Sequence, residues 1–219
     1  MPQNKISTYR RNRIFACFCG DVTATAAARL AGVNRNTANY YYGKIRALIF
    51  RESLSEGGRE TGEFEADGPY FGAERVRGKR RRGAAGKTPV SGLLKRGGRV
   101  FVKTVKNCPK KELMPVIRGK ILKKSVVYTD GRKGYDGLVV NGYDHYRVFH
   151  SCSEFVRGKS RVNGIENFRG FAKRRPARFN GCASDKFVLH LKECEFRYSR
   201  RNEDLLPIVR KLFKNSEKC

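Results

Sequence analysis

The stretch Glu63-Phe64-Glu65-Ala66-Asp67-Gly68-Pro69-Tyr70-Phe71-Gly72 predicts a short strand that presents carboxylates from a buried sheet. Because side chains alternate between the two faces of a strand, Glu65 and Asp67 share one face, and Phe64 and Ala66 share the other. Acidic residues are scarce here, since the 219-residue chain contains 48 Lys and Arg against 20 Asp and Glu. We therefore interpret Asp67 as a carboxylate held on a rigid element. The alternative is a surface hairpin with solvated acids.

The composition indicates a globular chain with a polyanionic partner. The formal net charge is +28, and 39% of the residues are hydrophobic. Nucleic acid is the first candidate partner and a membrane surface the second, but no apolar run approaches the ~20 residues that a membrane span requires. The seven cysteines form no Cys-x-x-Cys pair. This spacing favours reduced intracellular thiols and predicts no zinc site, and the lack of a long apolar run predicts no association with a membrane.

Residues 1–52 are predicted to form a helix-turn-helix DNA-binding domain. Ser7 or Thr8 is suited to cap a first helix and Thr23 a second, because their hydroxyls can accept hydrogen bonds from free backbone N–H groups. Gly32 then supplies a turn, and Asn34 caps a third helix. This order of caps and turns is typical of a helix-turn-helix, in which the last helix enters the major groove.

The third helix has two faces of different chemistry. The apolar face, at helical spacing, consists of Thr37, Ala38, Tyr41, Ile45 and Leu48. The exposed face carries the predicted DNA-binding residues Arg35, Asn36, Asn39 and Arg46. Arg suits the edge of guanine and Asn that of adenine, so this face favours base reading. A small three-helix bundle with no DNA-binding role could show the same pattern.

A polar linker, residues 53–62, separates this domain from a predicted catalytic domain, residues 63–219. A basic, glycine-rich run lies early in the second domain and includes the candidate DNA-binding residues Arg80, Arg81, Arg82 and Lys87. In a DNA-binding protein such a run is expected to follow the phosphate backbone. The alternative is a solvated loop without a partner.

The second domain is predicted to be α/β, with a mixed sheet of ribonuclease H-like order followed by C-terminal helices, although periodicity alone leaves other α/β topologies open. The further predicted strands are Pro89–Lys95, Val100–Val105, Ser125–Asp130 and Tyr146–His150, and the predicted helices are Pro109–Ile121 and Lys133–Val139. Asp130 ends an apolar run that is typical of a strand buried on both faces. Ligand sites of α/β sheets lie at such strand ends, which makes Asp130 a candidate site residue.

A third candidate acid, Glu166, lies on a predicted helix. The buried stripe of that helix, at 3.6 residues per turn, is Ile165, Phe168, Phe171 and Ala172. Glu166 projects at the edge of this stripe and could reach a site beside the sheet. An N-cap at Asn163 followed by Glu166 also resembles a capping box, so the pattern leaves a structural role open.

Several motifs, in a fixed order, resemble the DDE transposases of compact bacterial insertion sequences related to the eukaryotic Merlin elements. They are Glu65–Gly72, Gly78–Lys95, Val127–Asp130, Val162–Phe168 and Leu191–Arg197. The resemblance implies a ribonuclease H-like core in which Asp67, Asp130 and Glu166 are both catalytic residues and metal ligands. It implies an enzyme that binds the ends of its element and performs metal-dependent cleavage and strand transfer on double-stranded DNA, as a homo-oligomer in the bacterial cytoplasm.

The chemistry of phosphodiester cleavage accounts for three acids. Two divalent ions about 3.5–4 Å apart can activate water and stabilise charge on the attacking and leaving oxygens. Mg²⁺ prefers oxygen ligands, and Mn²⁺ is the expected substitute. The resemblance implies that Asp67 bridges both ions, while Asp130 and Glu166 each hold one.

The sequence departs from the family pattern at three points. Gly68-Pro69 replaces an acid and a hydroxyl residue, Arg161 replaces a His, and Arg169 replaces a Trp. A charge at the position of a buried ring needs an ionic partner or solvent. Two alternatives to an active transposase therefore stay open: a catalytically decayed copy that only binds DNA, and a ribonuclease H-like nuclease that cuts without joining.

Overall fold

A five-stranded mixed sheet organises the middle of the chain in the computed structural model, which describes residues 6–55, 58–67, 90–105, 110–130, 135, 137–148, 162–178 and 184–217. Its strands are β1 (Glu63–Asp67), β2 (Val90–Lys95), β3 (Val100–Thr104), β4 (Val126–Asp130) and β5 (Asp144–Val148). The spatial order is β3-β2-β1-β4-β5. The pairs β1–β2 and β2–β3 are antiparallel, whereas β1–β4 and β4–β5 are parallel. The predicted α/β class with a mixed sheet is confirmed.

The described part of the chain contains seven α-helices: three precede the strands in the sequence, one lies between β3 and β4, and three follow β5. They are α1 (Thr8–Cys19), α2 (Ala24–Ala31), α3 (Arg35–Ser55), α4 (Lys110–Lys120), α5 (Asn163–Arg178), α6 (Ser184–Ser199) and α7 (Leu205–Ser216). Within the described residues, no helix combines the length and the apolar character that crossing a bilayer demands.

The central strand β1 separates two apolar cores, as its alternation predicts. Phe64 and Ala66 are buried in one core together with Leu113 and Ile117 of α4. Glu65 points to the opposite face, where it meets the first turn of α5. The predicted assignment of the two faces is therefore confirmed for the residues of β1.

Helix α5 covers the second face with the predicted stripe. Ile165, Phe168 and Ala172 are buried, and Phe171 packs against the same core, which also contains Tyr128 of β4. Apolar residues three or four positions apart form one side of a helix, so α5 lies with this stripe on the sheet. The residues of α5 between these positions lie outside the buried stripe, so their side chains can contribute to a functional site.

The outer edge of β3 is bonded to side chains of α6. The backbone N–H of Val102 donates to Oε2 of Glu195 at 2.8 Å, and that of Val100 donates to the Ser199 hydroxyl at 3.0 Å. These bonds satisfy backbone donors that an edge strand would otherwise present to another chain. Helix α6 thus takes the place of a further strand at this edge.

The first three helices begin at the predicted caps, but α3 continues to Ser55, into the predicted linker. Ser7, Thr23 and Asn34 accept hydrogen bonds from the backbone N–H groups of the first turns of α1, α2 and α3. Gly32 ends α2 with φ of 63°, a left-handed conformation that glycine adopts without steric cost.

The buried side of α3 is rotated relative to the prediction. Tyr42 and Ile49 are buried in place of Tyr41 and Leu48, which are half-buried. The Tyr42 hydroxyl donates to the carbonyl of Val22 at 2.8 Å, which fixes this orientation. Tyr41 instead faces α7, a helix whose position local periodicity does not reveal.

The contacts divide the chain differently from the predicted boundaries. One unit comprises residues 1–55 and 200–219, and the other comprises residues 56–199. Helix α7 joins the first unit because Phe213 packs against Phe15 and Tyr41, with ring centres 4.9 Å and 5.8 Å apart. The last twenty residues, expected in the catalytic domain, therefore complete the helical unit.

Two elements near β5 differ from the prediction. Strand β5 begins two residues before the predicted Tyr146, because Asp144 and His145 continue the parallel ladder with β4. Of the predicted helix Lys133–Val139, positions 133, 134 and 136 lie outside the described residues. A 3₁₀-helix occupies Val139–Asn141.

Candidate active site

Two of the three predicted acids end neighbouring strands. Ala66 of β1 lies opposite Thr129 of β4 in parallel register, so Asp67 and Asp130 are the next residues of the two strands. Each is the last residue of its strand. Parallel strands bring their carboxyl ends to the same edge of a sheet, and the two aspartates therefore lie side by side there.

Both aspartates belong to the face that α5 covers. Asp67 shares a face with Glu65, whose carboxylate bonds to α5, and Asp130 shares a face with Tyr128, which is buried in the core beneath α5. Oδ1 of Asp130 is buried. Two carboxylates thus stand on rigid strands beneath one helix.

The side chain of Asp67 is engaged by Arg169. Nη1 of Arg169 donates to Oδ2 of Asp67 at 2.6 Å. The two side chains are 25% and 12% exposed, so the ion pair is only partly screened by water. Arg169, which stands where the family has a tryptophan, is therefore paired with a carboxylate. That carboxylate belongs to Asp67, a candidate catalytic residue.

A buried carboxylate, Glu65, holds the beginning of α5. Its Oε2 accepts a hydrogen bond from the backbone N–H of Ile165 at 3.0 Å. The next residue back must be glycine, because a Cβ on Gly164 would lie 2.3 Å from a methyl carbon of Leu94 and 3.0 Å from Oε2 of Glu65. The glycine of the Asn-Gly-Ile motif is thus explained by the close approach of α5 to the sheet.

Arg96 organises the charges around Glu65. Its Nη1 donates to Glu63 at 2.8 Å and its Nε to Oε1 of Glu65 at 3.1 Å. The guanidinium also lies over the Tyr128 ring, with its carbon 3.8 Å from the ring centre. Burial raises the pKa of the Tyr128 hydroxyl; the Glu63 carboxylate adds to this shift, whereas Arg96 opposes it.

The third acid, Glu166, is exposed near the start of α5. The capping-box alternative requires Asn163 at the N-cap position, but Asn163 is the first helical residue. The backbone N–H of Glu166 bonds to the carbonyl of Val162, so the N-cap position falls on Val162, whose side chain has no acceptor. Glu65 bonds a first-turn N–H of α5 instead.

The arrangement meets part of what divalent cations require. Asp67 and Asp130 supply hard oxygen donors from adjacent strand ends, which suits Mg²⁺ or Mn²⁺. The described residues contain no group of three or more acidic, histidine or cysteine side chains placed to hold an ion. Glu166 is therefore not gathered with the two aspartates, and Oδ2 of Asp67 already binds Arg169.

The predicted DNA-binding residues fall into three groups. Arg35, Asn36 and Asn39 are exposed at the beginning of α3. Arg46 is half-buried, and its guanidinium lies 5.8 Å and 5.7 Å from the ring centres of Phe18 and Tyr42, so it has a packing role. The basic residues of the glycine-rich run lie outside the described residues; they are Arg80, Arg81, Arg82 and Lys87.

A buried ionic cluster that the sequence does not reveal joins α5 to α6. Oε1 of Glu193 accepts hydrogen bonds from Arg175 at 2.8 Å and from Arg197 at 2.9 Å. The spacing of Glu193 and Arg197 indicates a pair within one helix. No local signal points to Arg175, which comes from the other helix. The cluster explains Glu193 and Arg197 of the motif Leu191–Arg197 as supports for α5.

Comparison with known proteins agrees with the motifs. Residues 60–199 match the model of a family described as an ISXO2-like transposase domain. A Haemophilus influenzae protein described as an uncharacterized transposase-like protein is 38% identical over 119 residues, covering 54% of this chain and 96% of that protein.

Two solved structures align over most of the chain at low similarity. One is the intasome of simian T-cell lymphotropic virus in complex with the PP2A regulatory subunit B56 gamma, with 12% identity and a TM-score of 0.40 over 82% of this chain and 66% of that chain. The other is the Mos1 strand transfer complex, with 9% identity and a TM-score of 0.36 over 100% and 79%. TM-scores this low do not establish a shared fold, so the fold rests on the strand order. The family rests on the match over residues 60–199, well over half of the 219 residues, and on this ground the chain belongs to the ISXO2-like transposase family.

Proposed function

We propose that this protein binds the ends of its own insertion element as double-stranded DNA and catalyses strand cleavage and strand transfer in the bacterial cytoplasm. The observation that carries this proposal is the placement of Asp67 and Asp130 at adjacent strand ends beneath α5, the helix that bears Glu166. The strand order and directions support a ribonuclease H-like catalytic domain.

The proposed cofactors are two Mg²⁺ or Mn²⁺ ions held by Asp67, Asp130 and Glu166. When bound, such ions activate the attacking hydroxyl and stabilise charge on the phosphodiester oxygens. The strands fix the two aspartates, so their carboxylates lose little freedom when they bind. Glu166 lies on a helix that Glu65 anchors at its first turn, and to serve as the third ligand its side chain would have to move toward the two aspartates.

We propose that the helical unit recognises the element ends. The glycine turn between α2 and α3 and the exposed Arg35, Asn36 and Asn39 support a helix-turn-helix in which α3 reads base edges. The net charge of +28 supports a large phosphate contribution, which we assign partly to the basic run from Arg80 to Lys87. Pairing two element ends requires at least a dimer on DNA.

A strand-cleavage and strand-transfer assay on element ends with Mg²⁺ tests the catalytic assignment. Asp67→Asn, Asp130→Asn and Glu166→Gln should each abolish cleavage and leave DNA affinity unchanged or higher, because each removes a negative charge near phosphate. Asp144→Asn is the matched control, since Asp144 begins β5 at the opposite end of the sheet. Cleavage by either aspartate variant at the wild-type rate would refute the assignment.

The Arg169–Asp67 ion pair favours one alternative specifically: a decayed copy that binds DNA without cutting it. Such a protein would bind element ends and show no cleavage under any metal condition. A nuclease without joining activity would cleave in the same assay but give no strand-transfer product.

Recognition is tested by Arg35→Ala. If Arg35 reads a base edge, the variant should weaken binding to the element end by about 1–3 kcal/mol and leave binding to random duplex nearly unchanged. Equal losses on both DNAs would instead identify a phosphate contact. Electrophoretic mobility shifts on the two duplexes measure the difference.

A further inference from the structure

Arg169 reaches Asp67 because of its position on α5. Ile165, one turn earlier, packs onto the sheet at Gly92, the β2 residue opposite Asp67. A residue four positions later lies on the same side of a helix, so Arg169 follows Ile165 over the end of β1. The helix thereby carries a permanent positive charge to the carboxylate that is proposed to hold metal.

The pairing and a bound cation exclude each other at that oxygen. Nη1 of Arg169 lies 2.6 Å from Oδ2 of Asp67, which is the separation of a strong charge-assisted hydrogen bond. A divalent ion would bind the same oxygen at about 2.0–2.1 Å. Its charge would then lie within a few ångströms of the guanidinium, and like charges at this separation repel strongly where water is partly excluded.

We propose that Arg169 is an internal competitor of the divalent cation at Asp67. The guanidinium neutralises the carboxylate, and a cation that binds Oδ2 of Asp67 must displace it. Arg169 thus determines the metal affinity of the site and raises the cation concentration at which it fills. This inference rests on the proposed metal-binding role of Asp67.

The competition has a measurable size. The guanidinium and the cation compete for Oδ2 of Asp67. The observed affinity for the cation is therefore weakened by the free energy needed to open the ion pair. A charge-assisted hydrogen bond of this partly exposed kind corresponds to about tenfold in an equilibrium constant. Removing the guanidinium should therefore tighten cation binding by about tenfold.

Mn²⁺ binding to the full chain without DNA, measured from the electron paramagnetic resonance signal of the free ion, tests this inference without requiring activity. Arg169→Gln should lower the apparent Kd for Mn²⁺ about tenfold relative to the wild type. Arg174→Gln is the charge-matched control, since Arg174 is exposed on the same helix, and it should change the Kd by about twofold or less. Adding Asp67→Asn to Arg169→Gln should remove the tight binding.

The outcomes separate this inference from the function on which it rests. Equal Mn²⁺ affinity in the wild type and Arg169→Gln, with binding still lost in Asp67→Asn, would overturn the competition and leave the metal site intact. No Asp67-dependent binding in any variant would overturn both. Arg169→Trp, which restores the family residue, provides a second variant if circular dichroism shows that Arg169→Gln is unfolded, and the same tenfold tightening is expected of it.

Discussion

Removing the carboxylate of Glu65 should loosen the start of α5, and with it the helix that carries Glu166 and Arg169. Glu65 is 5% exposed and accepts hydrogen bonds from the Ile165 backbone and from Arg96. Glu65→Ala leaves the buried N–H of Ile165 without this acceptor and leaves Arg96 with Glu63.

The expected loss follows from these two bonds. A buried donor deprived of its acceptor costs about 1–3 kcal/mol, and a hydrogen bond to a charged group contributes about 1.5–3 kcal/mol. Because water can enter the vacated space and the two terms overlap, we expect a total of about 3 kcal/mol. Glu63→Ala removes the other carboxylate from Arg96, but Glu63 is 37% exposed, so its loss should cost about 1 kcal/mol or less.

Two measurements check this difference. Urea denaturation followed by circular dichroism gives the overall loss of stability, and hydrogen exchange at the Ile165 amide gives the local free energy of opening. Glu65→Ala should accelerate exchange at this amide far more than Glu63→Ala does. Equal effects of the two variants would refute the reasoning, because it attributes the difference to burial.

Three further outcomes are expected. Phe213→Ala should destabilise the helical unit by about 3–5 kcal/mol in thermal unfolding, since it empties the contact of α7 with Phe15 and Tyr41, whereas the exposed Lys214→Ala should cost little. Burial raises the pKa of Glu195 above its usual 4.5 more than Lys192 and the Val102 N–H lower it. As the pH rises, Glu195 therefore loses its proton in the unfolded chain before it does so in the folded chain. Between these two pKa values of Glu195, the free energy of unfolding of the wild type should fall relative to that of Glu195→Gln. Parallel pH profiles of the two proteins would contradict this. Replacing Arg80, Arg81 and Arg82 together with Ala should reduce the slope of log DNA affinity against log salt concentration by up to about 3. A salt titration of DNA binding by the triple variant measures this slope.

The sequence was sufficient where local physics decides the structure. The period of two places Glu65 opposite Phe64, and the period of three to four places Ile165 and Phe168 on one side of α5. The caps of the first three helices follow from side chains that bond to their own first turns. The same local patterns indicate the candidate site residues, because they place Asp67 and Asp130 at strand ends and Glu166 beside an apolar stripe.

Contacts between residues distant in the chain could not be predicted from local patterns in the sequence. Arg169 and Asp67 are 102 positions apart, and nothing around either residue identifies the other. The bond of Glu195 to an edge strand likewise depends on where α6 lies, which periodicity does not specify. The shifted face of α3 has the same origin, since the partner of Tyr41 is Phe213.

The return of α7 to the first unit has a consequence for synthesis. Phe15 emerges from the ribosome near the beginning of translation, whereas Phe213 emerges only after the entire sheet-bearing unit. At about 5–20 residues per second, the interval between the end of α3 and the start of α7 is roughly 8 to 30 seconds. During this interval the nascent helices lack the packing of α7, so the helical unit reaches its full stability only after the rest of the chain has been synthesised.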